Sequence, residues 1–307
     1  MKAPHFARTA VTFLAAATVA ALGGGPASAA PPHPQYPQYP VNYNLISAFA
    51  TGTFNGNVPP PGANRTNCRS TTHPVPVVLV HGTGANQNNS WQAIAPELAN
   101  RGYCVFTTTI GQLPNLPNFG ELASIYTSAS QLAAFVRKVQ AWTGAPKVDL
   151  VGHSQGGAIN LIYLKDHDGW KNTRRVIGLA AANNSPKFWA NLVSMIPGAS
   201  TISGALIPAG NQLLDPATYA RLTPRTYPQV QYSNLVSRFD ELAIPSTVAF
   251  LPPGPNVRNL LVQQICPNSV VGHVGMIADP SVTQMLLNEL DPAHRRPVSC
   301  AVTGVPF

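Results

Sequence analysis

Charged residues are scarce in this sequence, and this narrows the classes of function that it can have. Asp, Glu, Lys and Arg make up 10% of the 307 residues, below the ~25% of ordinary soluble proteins. The 19 Lys and Arg residues outnumber the 11 acidic residues and give a formal net charge of +8, but they form no basic block or basic helix face. The sequence therefore does not predict a nucleic-acid-binding protein.

Clusters of metal-ligating residues and internal repeats are also missing. No group of carboxylates predicts a metal site, and none of the four cysteines belongs to a C-x-x-C pair that would predict zinc. No repeat of about 20–50 residues is present, which excludes a solenoid or a propeller. We therefore expect no metal and no cofactor. The chain is long enough for one large domain or two small ones.

Long apolar runs are confined to the N-terminus. Lys2 and Arg8 precede an apolar stretch over residues 10–22, and the tripeptide Ala27-Ser28-Ala29 is an A-x-A cleavage site. These features predict a signal peptide over residues 1–29, cleaved near Ala29, and a secreted protein. Cleavage would remove two positive charges and no acids, leaving a net charge of +6. No later run is long and apolar enough to predict a membrane span.

The four cysteines are expected to form two disulfide bonds, because an even count is typical of exported proteins. Three pairings are open. We favour Cys68–Cys104 and Cys266–Cys300, since each bond would join neighbouring segments of the chain. Spacing alone does not decide between the pairings.

The order of apolar runs predicts one α/β domain over residues 67–307, preceded by a Pro-rich N-terminal arm over residues 30–66. Continuous apolar runs alternate with amphipathic stretches, which is typical of βαβ units, a mostly parallel sheet and flanking helices. A stretch near 185–228 breaks the rhythm and is interpreted as a short insertion. The predicted strands are residues 75–82, 103–110, 146–154, 174–184, 229–242 and 256–265. The predicted helices are residues 90–102, 121–142, 156–166 and 279–290.

The motif GHSQG at residues 152–156 is the strongest chemical signal. It follows a buried strand and precedes a helix, which is the arrangement of a nucleophile elbow with Ser154 as the nucleophile. Gly152 and Gly156 supply the lack of bulk that so tight a turn needs. A serine hydroxyl is a weak nucleophile without a base, so a base and an acid must follow later in the chain. His153 is expected to be a spectator, because adjacent side chains across the turn point apart.

Three histidines follow Ser154, and His273 is the preferred base. It lies in a Gly-flanked loop between the last strand and the last helix, at the edge of the sheet where a base is needed. His167 is on a polar helix end, and His294 is beside two arginines. Asp240 is the preferred acid because it ends a strand at the same edge. Its rivals are Asp215 and Glu241.

The oxyanion hole requires two main-chain N–H groups. One is expected from Gln155, directly after the nucleophile. The other is expected from Thr83, in the Gly-rich loop after the first central strand, where the Thr83 hydroxyl offers a third donor. The loop lacks the third glycine of G-x-G-x-x-G, since Gln87 stands there, so a dinucleotide site is not predicted.

These motifs together resemble a known family. VHGTGANQNNSW, GYCVF, VDLVGHSQGG, SRFDELAIP and VGHVGM are similar to the α/β-hydrolase fold of secreted bacterial lipases and esterases (lipase class 2), over residues 67–290. GTG and SQGG also resemble lipase B of Candida antarctica, in which a Thr aids the oxyanion hole. The resemblance implies a serine carboxylic-ester hydrolase, a triacylglycerol lipase or esterase working through an acyl-enzyme. It assigns Ser154, Asp240, His273, Thr83 and Gln155 to the roles above, and it favours the Cys68–Cys104 bond.

One departure from the family and two alternatives remain open. After the sixth strand many relatives read NHGT, whereas this chain reads NNSP at residues 183–186, which leaves chain-length preference undecided. The alternatives are an acyltransferase acting on envelope lipids with the same triad, and a non-catalytic surface-binding protein on a hydrolase scaffold. The expected partners are a lipid or ester small molecule and a lipid interface, with the protein a monomer and no nucleic acid bound.

Overall fold

The computed structural model describes residues 36–183, 187, 190–191, 207–222 and 225–300. The predicted signal peptide, the start of the Pro-rich arm and much of the insertion near 185–228 lie outside these residues. Within them, no helix is long and apolar enough to cross a membrane.

A six-stranded sheet forms the centre of the fold, and every strand pair in it is parallel. The spatial order is β2-β1-β3-β4-β5-β6. This confirms the predicted α/β class with helices on both faces of the sheet. The strands are β1 (Val77–Val80), β2 (Val105–Thr107), β3 (Val148–His153), β4 (Thr173–Leu179), β5 (Gln231–Val236) and β6 (Val257–Leu261).

Helices cover the two faces of the sheet, and the sheet separates two main apolar clusters of the core. α4 and α5 pack on one face, and α3 and α9 pack on the other. In chain order the helices are α1 (Leu45–Gly52), α2 (Gln87–Ser90), α3 (Ile94–Asn100), α4 (Ile125–Thr143), α5 (Gln155–Asp166), α6 (Pro208–Leu214), α7 (Pro216–Arg221), α8 (Val262–Ile265) and α9 (Pro280–Leu290).

Some element boundaries differ from the sequence-based prediction. The helix expected over residues 90–102 is shorter, since α3 covers only Ile94–Asn100. A separate one-turn helix, α2, precedes it and begins after Asn86, whose side chain accepts hydrogen bonds from two main-chain N–H groups. The strand expected over 229–242 ends at Val236, and the chain continues in turns as far as Asp240. The candidate acid Asp240 therefore lies in the loop that follows the carboxyl end of β5 and does not belong to the strand itself.

The structure contains both disulfide bonds of the preferred pairing, Cys68–Cys104 and Cys266–Cys300. The first joins the segment before β1 to the start of β2, and the second joins the end of α8 to the C-terminal segment. In the region interpreted as a Pro-rich arm, α1 packs against the core through Leu45 and Phe49. Asn86 donates to the Gly52 carbonyl at 3.2 Å and so links α1 to the loop after β1.

Candidate active site

Ser154 lies between β3 and α5 in a strained main-chain conformation. Its φ is 56° and its ψ is −126°, a region that costs a non-glycine residue about 1–3 kcal/mol. A side chain at Gly152 would place its Cβ 2.7 Å from the main chain of Gly156. The turn is therefore closed to bulk, and the strand–turn–helix geometry of a nucleophile elbow is present.

The pairing of β1 with β3 brings the loop after β1 to Ser154. The register aligns Val80 with Gly152, so the next residues of both strands leave the sheet side by side. A Cβ at Gly82 would lie 2.8 Å from the Ser154 Cβ. Glycine at this position is what lets the loop after β1, the candidate oxyanion loop, approach the serine.

His273 and Asp240 form a buried hydrogen-bonded pair. The His273 Nδ1 is 3.0 Å from the Asp240 Oδ2, and both side chains are nearly inaccessible. The Asp240 Oδ1 accepts the main-chain N–H groups of Leu242 at 2.9 Å and Ala243 at 2.8 Å. Burial alone would raise the pKa of Asp240, but the charge of a protonated His273 and these hydrogen bonds hold it below its usual range.

The rival residues lie elsewhere or make a different contact. The Glu241 Oε2 accepts the His273 main-chain N–H at 2.9 Å, so this carboxylate holds the backbone of the histidine and not its ring. Asp215 caps α7 by accepting the Ala217 N–H. His167 is exposed beside Ser130, and His294 is exposed beside Asp291. Of the candidate acids, only Asp240 contacts the ring of His273.

His153 is not the spectator that the sequence led us to expect. Its Nε2 is 3.0 Å from the main-chain carbonyl of His273, and the two rings are 5.0 Å apart. Because a carbonyl only accepts, Nε2 carries the proton and the Nδ1 of the neutral ring does not. Burial, together with the nearby His273, lowers the pKa of His153 to about 3. Its position next to the nucleophile was visible in the sequence, but its partner 120 residues away was not.

The two candidate oxyanion residues contact each other through their side chains. The Thr83 hydroxyl donates to the Gln155 Oε1 at 2.5 Å, and the Gln155 Nε2 donates to the Glu121 carbonyl at 3.1 Å. Gln155 is also the first residue of α5, so its main-chain N–H has no acceptor in the preceding helical turn. The positive end of the helix dipole therefore points toward Ser154.

A cavity of about 140 Å³ opens over Ser154 and His273. Its polar wall comes from the candidate oxyanion loop and the elbow, and its apolar wall comes from α1, from the loop after Asp240 and from the segment after His273. The apolar lining residues are Phe49, Ala85, Leu242, Val274 and Ile277. In the part of the chain that the structure describes, no group of three or more His, Cys, Asp or Glu side chains is placed to hold a metal ion.

These features together define the class of α/β proteins built around a nucleophile elbow. A sequence profile of the alpha/beta hydrolase family matches residues 77–302. The chain belongs to the alpha/beta hydrolase family.

Two curated relatives match a shorter part of the chain. They are triacylglycerol lipases of Pseudarthrobacter phenanthrenivorans and Burkholderia plantarii. Each is 39% identical over 87 residues, which is 27% of this chain. The matched segment spans 25% of the first relative and 23% of the second, so about a quarter of their length is covered.

Solved structures share the fold at low sequence identity. Aspergillus fumigatus lipase B superposes with a TM-score of 0.59 at 18% identity, over 91% of this chain and 64% of that one. The mature form of the Bacillus licheniformis lipase BlEst2 superposes with a TM-score of 0.53 at 17% identity, over 72% of this chain and 94% of that one. These similarities establish the architecture in which the site is built.

Proposed function

We propose that this protein is a secreted serine carboxylic-ester hydrolase, a triacylglycerol lipase or esterase that works through an acyl-enzyme. One observation carries the proposal: a serine on a strained elbow and a histidine bonded to a buried aspartate line the same cavity. The names of the curated relatives support the choice of ester substrates. The signal peptide predicted over residues 1–29 and the two disulfide bonds support export.

In this proposal Ser154 attacks the ester carbonyl while the His273 Nε2 takes the hydroxyl proton. Asp240 holds the ring through Nδ1 and stabilises the imidazolium that forms. The tetrahedral oxyanion is held by the main-chain N–H groups of Thr83 and Gln155, in a site where burial strengthens the interaction. His273 then gives its proton to the leaving alcohol, and a water activated by the same histidine hydrolyses the acyl-enzyme.

The apolar wall of the cavity favours the acyl part of an ester as the group bound beside Ser154. Phe49, Leu242 and Ile277 present hydrocarbon to it, and its lining among the described residues includes no Asp, Glu, Lys or Arg. Such a pocket is typical of small-molecule sites with a few polar groups that orient the ligand. We also propose that the protein contacts a lipid interface and acts as a monomer.

The experiment that tests the proposal is labelling of the mature protein with a serine-directed phosphonate, followed by mass mapping of the modified peptide. We expect modification at Ser154 and hydrolysis of p-nitrophenyl esters, both abolished in Ser154→Ala. His167→Ala is the matched control, because His167 is exposed and does not line the cavity.

The same measurements separate the other two candidate functions. Labelling at Ser154 combined with acyl transfer to an added alcohol in preference to water would assign an acyltransferase. A folded protein that is neither labelled nor active would argue for a non-catalytic binding protein and would overturn the proposal.

A further inference from the structure

A chain of two side-chain hydrogen bonds joins the two halves of the candidate oxyanion hole. Thr83 belongs to the loop after β1, and Gln155 belongs to the first turn of α5, 72 residues later. The Gln155 amide lies between them, accepting from the Thr83 hydroxyl at 2.5 Å and donating to the Glu121 carbonyl at 3.1 Å. Gln155 is fully buried, so its amide is shielded from bulk solvent.

We propose that the Gln155 side chain is a positioning group that sets the distance between the two oxyanion donors. The proposal rests on the proposed function and deepens it. Gln155 then has two separate roles: its main-chain N–H contacts the oxyanion, and its side-chain amide holds Thr83 so that the second N–H points to the same place. We call the three residues Thr83, Gln155 and Glu121 the oxyanion clamp.

The orientation of the amide follows from its neighbours. The Glu121 main-chain oxygen only accepts, so the nitrogen of the amide must face it. The amide oxygen then faces Thr83, and the hydroxyl must donate to it. The reversed amide would set two acceptor oxygens against each other at the Glu121 end, which costs a buried hydrogen bond.

Main-chain hydrogen bonds tie the far end of the oxyanion clamp to neighbouring segments. Glu121 has a φ of 53°, which is unusual for a non-glycine residue, and its main-chain N–H donates to Ile110 at 2.7 Å. The preceding Gly120 exchanges hydrogen bonds with the oxyanion loop, accepting from Gly84 at 2.9 Å and donating to Ala85 at 2.8 Å. The segment that receives the Gln155 amide is thus tied to the loop that carries Thr83.

One chemical consequence distinguishes this arrangement from a three-donor oxyanion hole. A threonine hydroxyl has a single proton, and here that proton is donated to Gln155. The Thr83 side chain therefore holds the loop in place, and its hydroxyl is not free to donate to the oxyanion while the oxyanion clamp is intact. The two main-chain N–H groups provide the stabilisation.

The test uses variants of the mature enzyme with p-nitrophenyl butyrate as substrate. Gln155→Met fills the space of the glutamine but breaks both bonds of the amide. We expect kcat to fall about 10- to 100-fold with KM within about threefold, a smaller loss than the ~10²–10³ that follows removal of a whole oxyanion donor. Thr83→Val should give a similar loss, the double variant should lose no more than the worse single variant, and Thr83→Ser should restore most of kcat.

A three-donor oxyanion hole predicts a different result for the same variants. If the Thr83 hydroxyl contacts the oxyanion directly, Gln155→Met frees its proton, so kcat equal to or above that of the wild type overturns the proposal. Losses that add in the double variant also overturn it. Gln229→Leu is the matched control, because this exposed glutamine lies just before β5, at the opposite end of the sheet from the site.

Two further measurements keep the outcomes separate. Thermal melts show whether Gln155→Met folds, and Gln155→Leu replaces it if it does not, with Thr83→Val supplying the second arm of the comparison. Wild-type protein that fails to hydrolyse the ester or to react with a phosphonate contradicts the proposed function itself. Active wild type with unaffected Gln155 variants contradicts the oxyanion clamp alone.

Discussion

The His153 imidazole donates a hydrogen bond to the main-chain carbonyl of His273, with 3.0 Å between nitrogen and oxygen. The residue next to the nucleophile thus holds the backbone of the histidine that we propose as the base. Glu241 holds the same residue from the other side by accepting its N–H. Both polar groups of the His273 main chain are therefore bonded to side chains, and the ring is aimed through a fixed backbone.

His153→Phe should weaken catalysis by leaving that carbonyl without its donor. We expect kcat for p-nitrophenyl esters to fall about tenfold, with a loss of about 1–3 kcal/mol in the free energy of unfolding because the carbonyl is buried. His153→Gln keeps a donor and should lose less. His167→Phe is the control, and steady-state kinetics with urea melts are the measurements. Equal kcat in His153→Phe and wild type would show that the contact has no effect on the base.

Asp240→Asn and Glu241→Gln should differ in size because the two carboxylates hold different parts of His273. Asp240 contacts the ring and Glu241 contacts the main chain. Asp240→Asn should lower kcat by about 10⁴, as expected when the ring loses its orienting carboxylate. Glu241→Gln keeps an acceptor oxygen and should cost about tenfold or less. A larger loss in Glu241→Gln would reverse the assignment of the acid.

Two buried histidines should make the fold sensitive to acid. Burial lowers the pKa of His81 to about 4 and that of His153 to about 3, below the ordinary value of about 6.5 in the unfolded chain. Below about pH 6.5 the unfolded chain binds protons that the folded protein does not. Stability should be complete above that pH and fall by about 1.4 kcal/mol per pH unit for each histidine as the pH drops.

Urea unfolding at pH 7, 6 and 5 measures this slope. His153→Gln removes one titrating group while keeping a hydrogen-bond donor. The free energy of unfolding of this variant should therefore depend less on pH, by about 1.4 kcal/mol per pH unit. A slope unchanged by this substitution would contradict the role of His153 in acid sensitivity.

Glu121→Gln should stabilise the protein at neutral and alkaline pH. The Glu121 carboxyl is fully buried, and neither oxygen has a hydrogen-bond partner among the described residues. Burial raises its pKa well above the ordinary range. Below about pH 4 both folded and unfolded chains hold the proton; above it the unfolded chain releases its proton first, so the glutamate increasingly destabilises the fold.

The expected gain at pH 8 is about 1–3 kcal/mol, or about 2–4 °C in melting temperature for each kcal/mol. It should shrink toward zero at pH 4. Thermal melts of wild type and Glu121→Gln at both pH values provide the comparison. If the substitution instead destabilised the protein at pH 8 more than at pH 4, the Glu121 carboxylate would be ionised and would have a partner.

Much of the architecture was predictable because local signals agreed with it. The apolar run before GHSQG is β3, the amphipathic stretch at 121–142 is α4, and the parallel sheet followed from their alternation. Boundaries were less predictable. Ser90 looked like a helix start, yet Asn86 starts α2 because its side chain reaches two N–H groups that no periodicity reveals.

The candidate site divides in the same way. Chain order and loop position selected Ser154, Asp240 and His273 as candidates. Because acidic residues are scarce, few alternatives to Asp240 had to be considered. The packing of α1 beside the cavity through Phe49 was not predictable, since the Pro-rich segment before it indicated only an arm.

The sequence by itself determined the class of fold and selected the candidate site residues, because elbow glycines, apolar periodicity and cysteine count are local properties. Only the tertiary structure decided what supports them. The bonds from Thr83 to Gln155 and from His153 to His273 join residues 72 and 120 positions apart. Such contacts depend on the register of β1 with β3 and on the paths of the loops beyond the sheet, which side-chain identity alone does not specify.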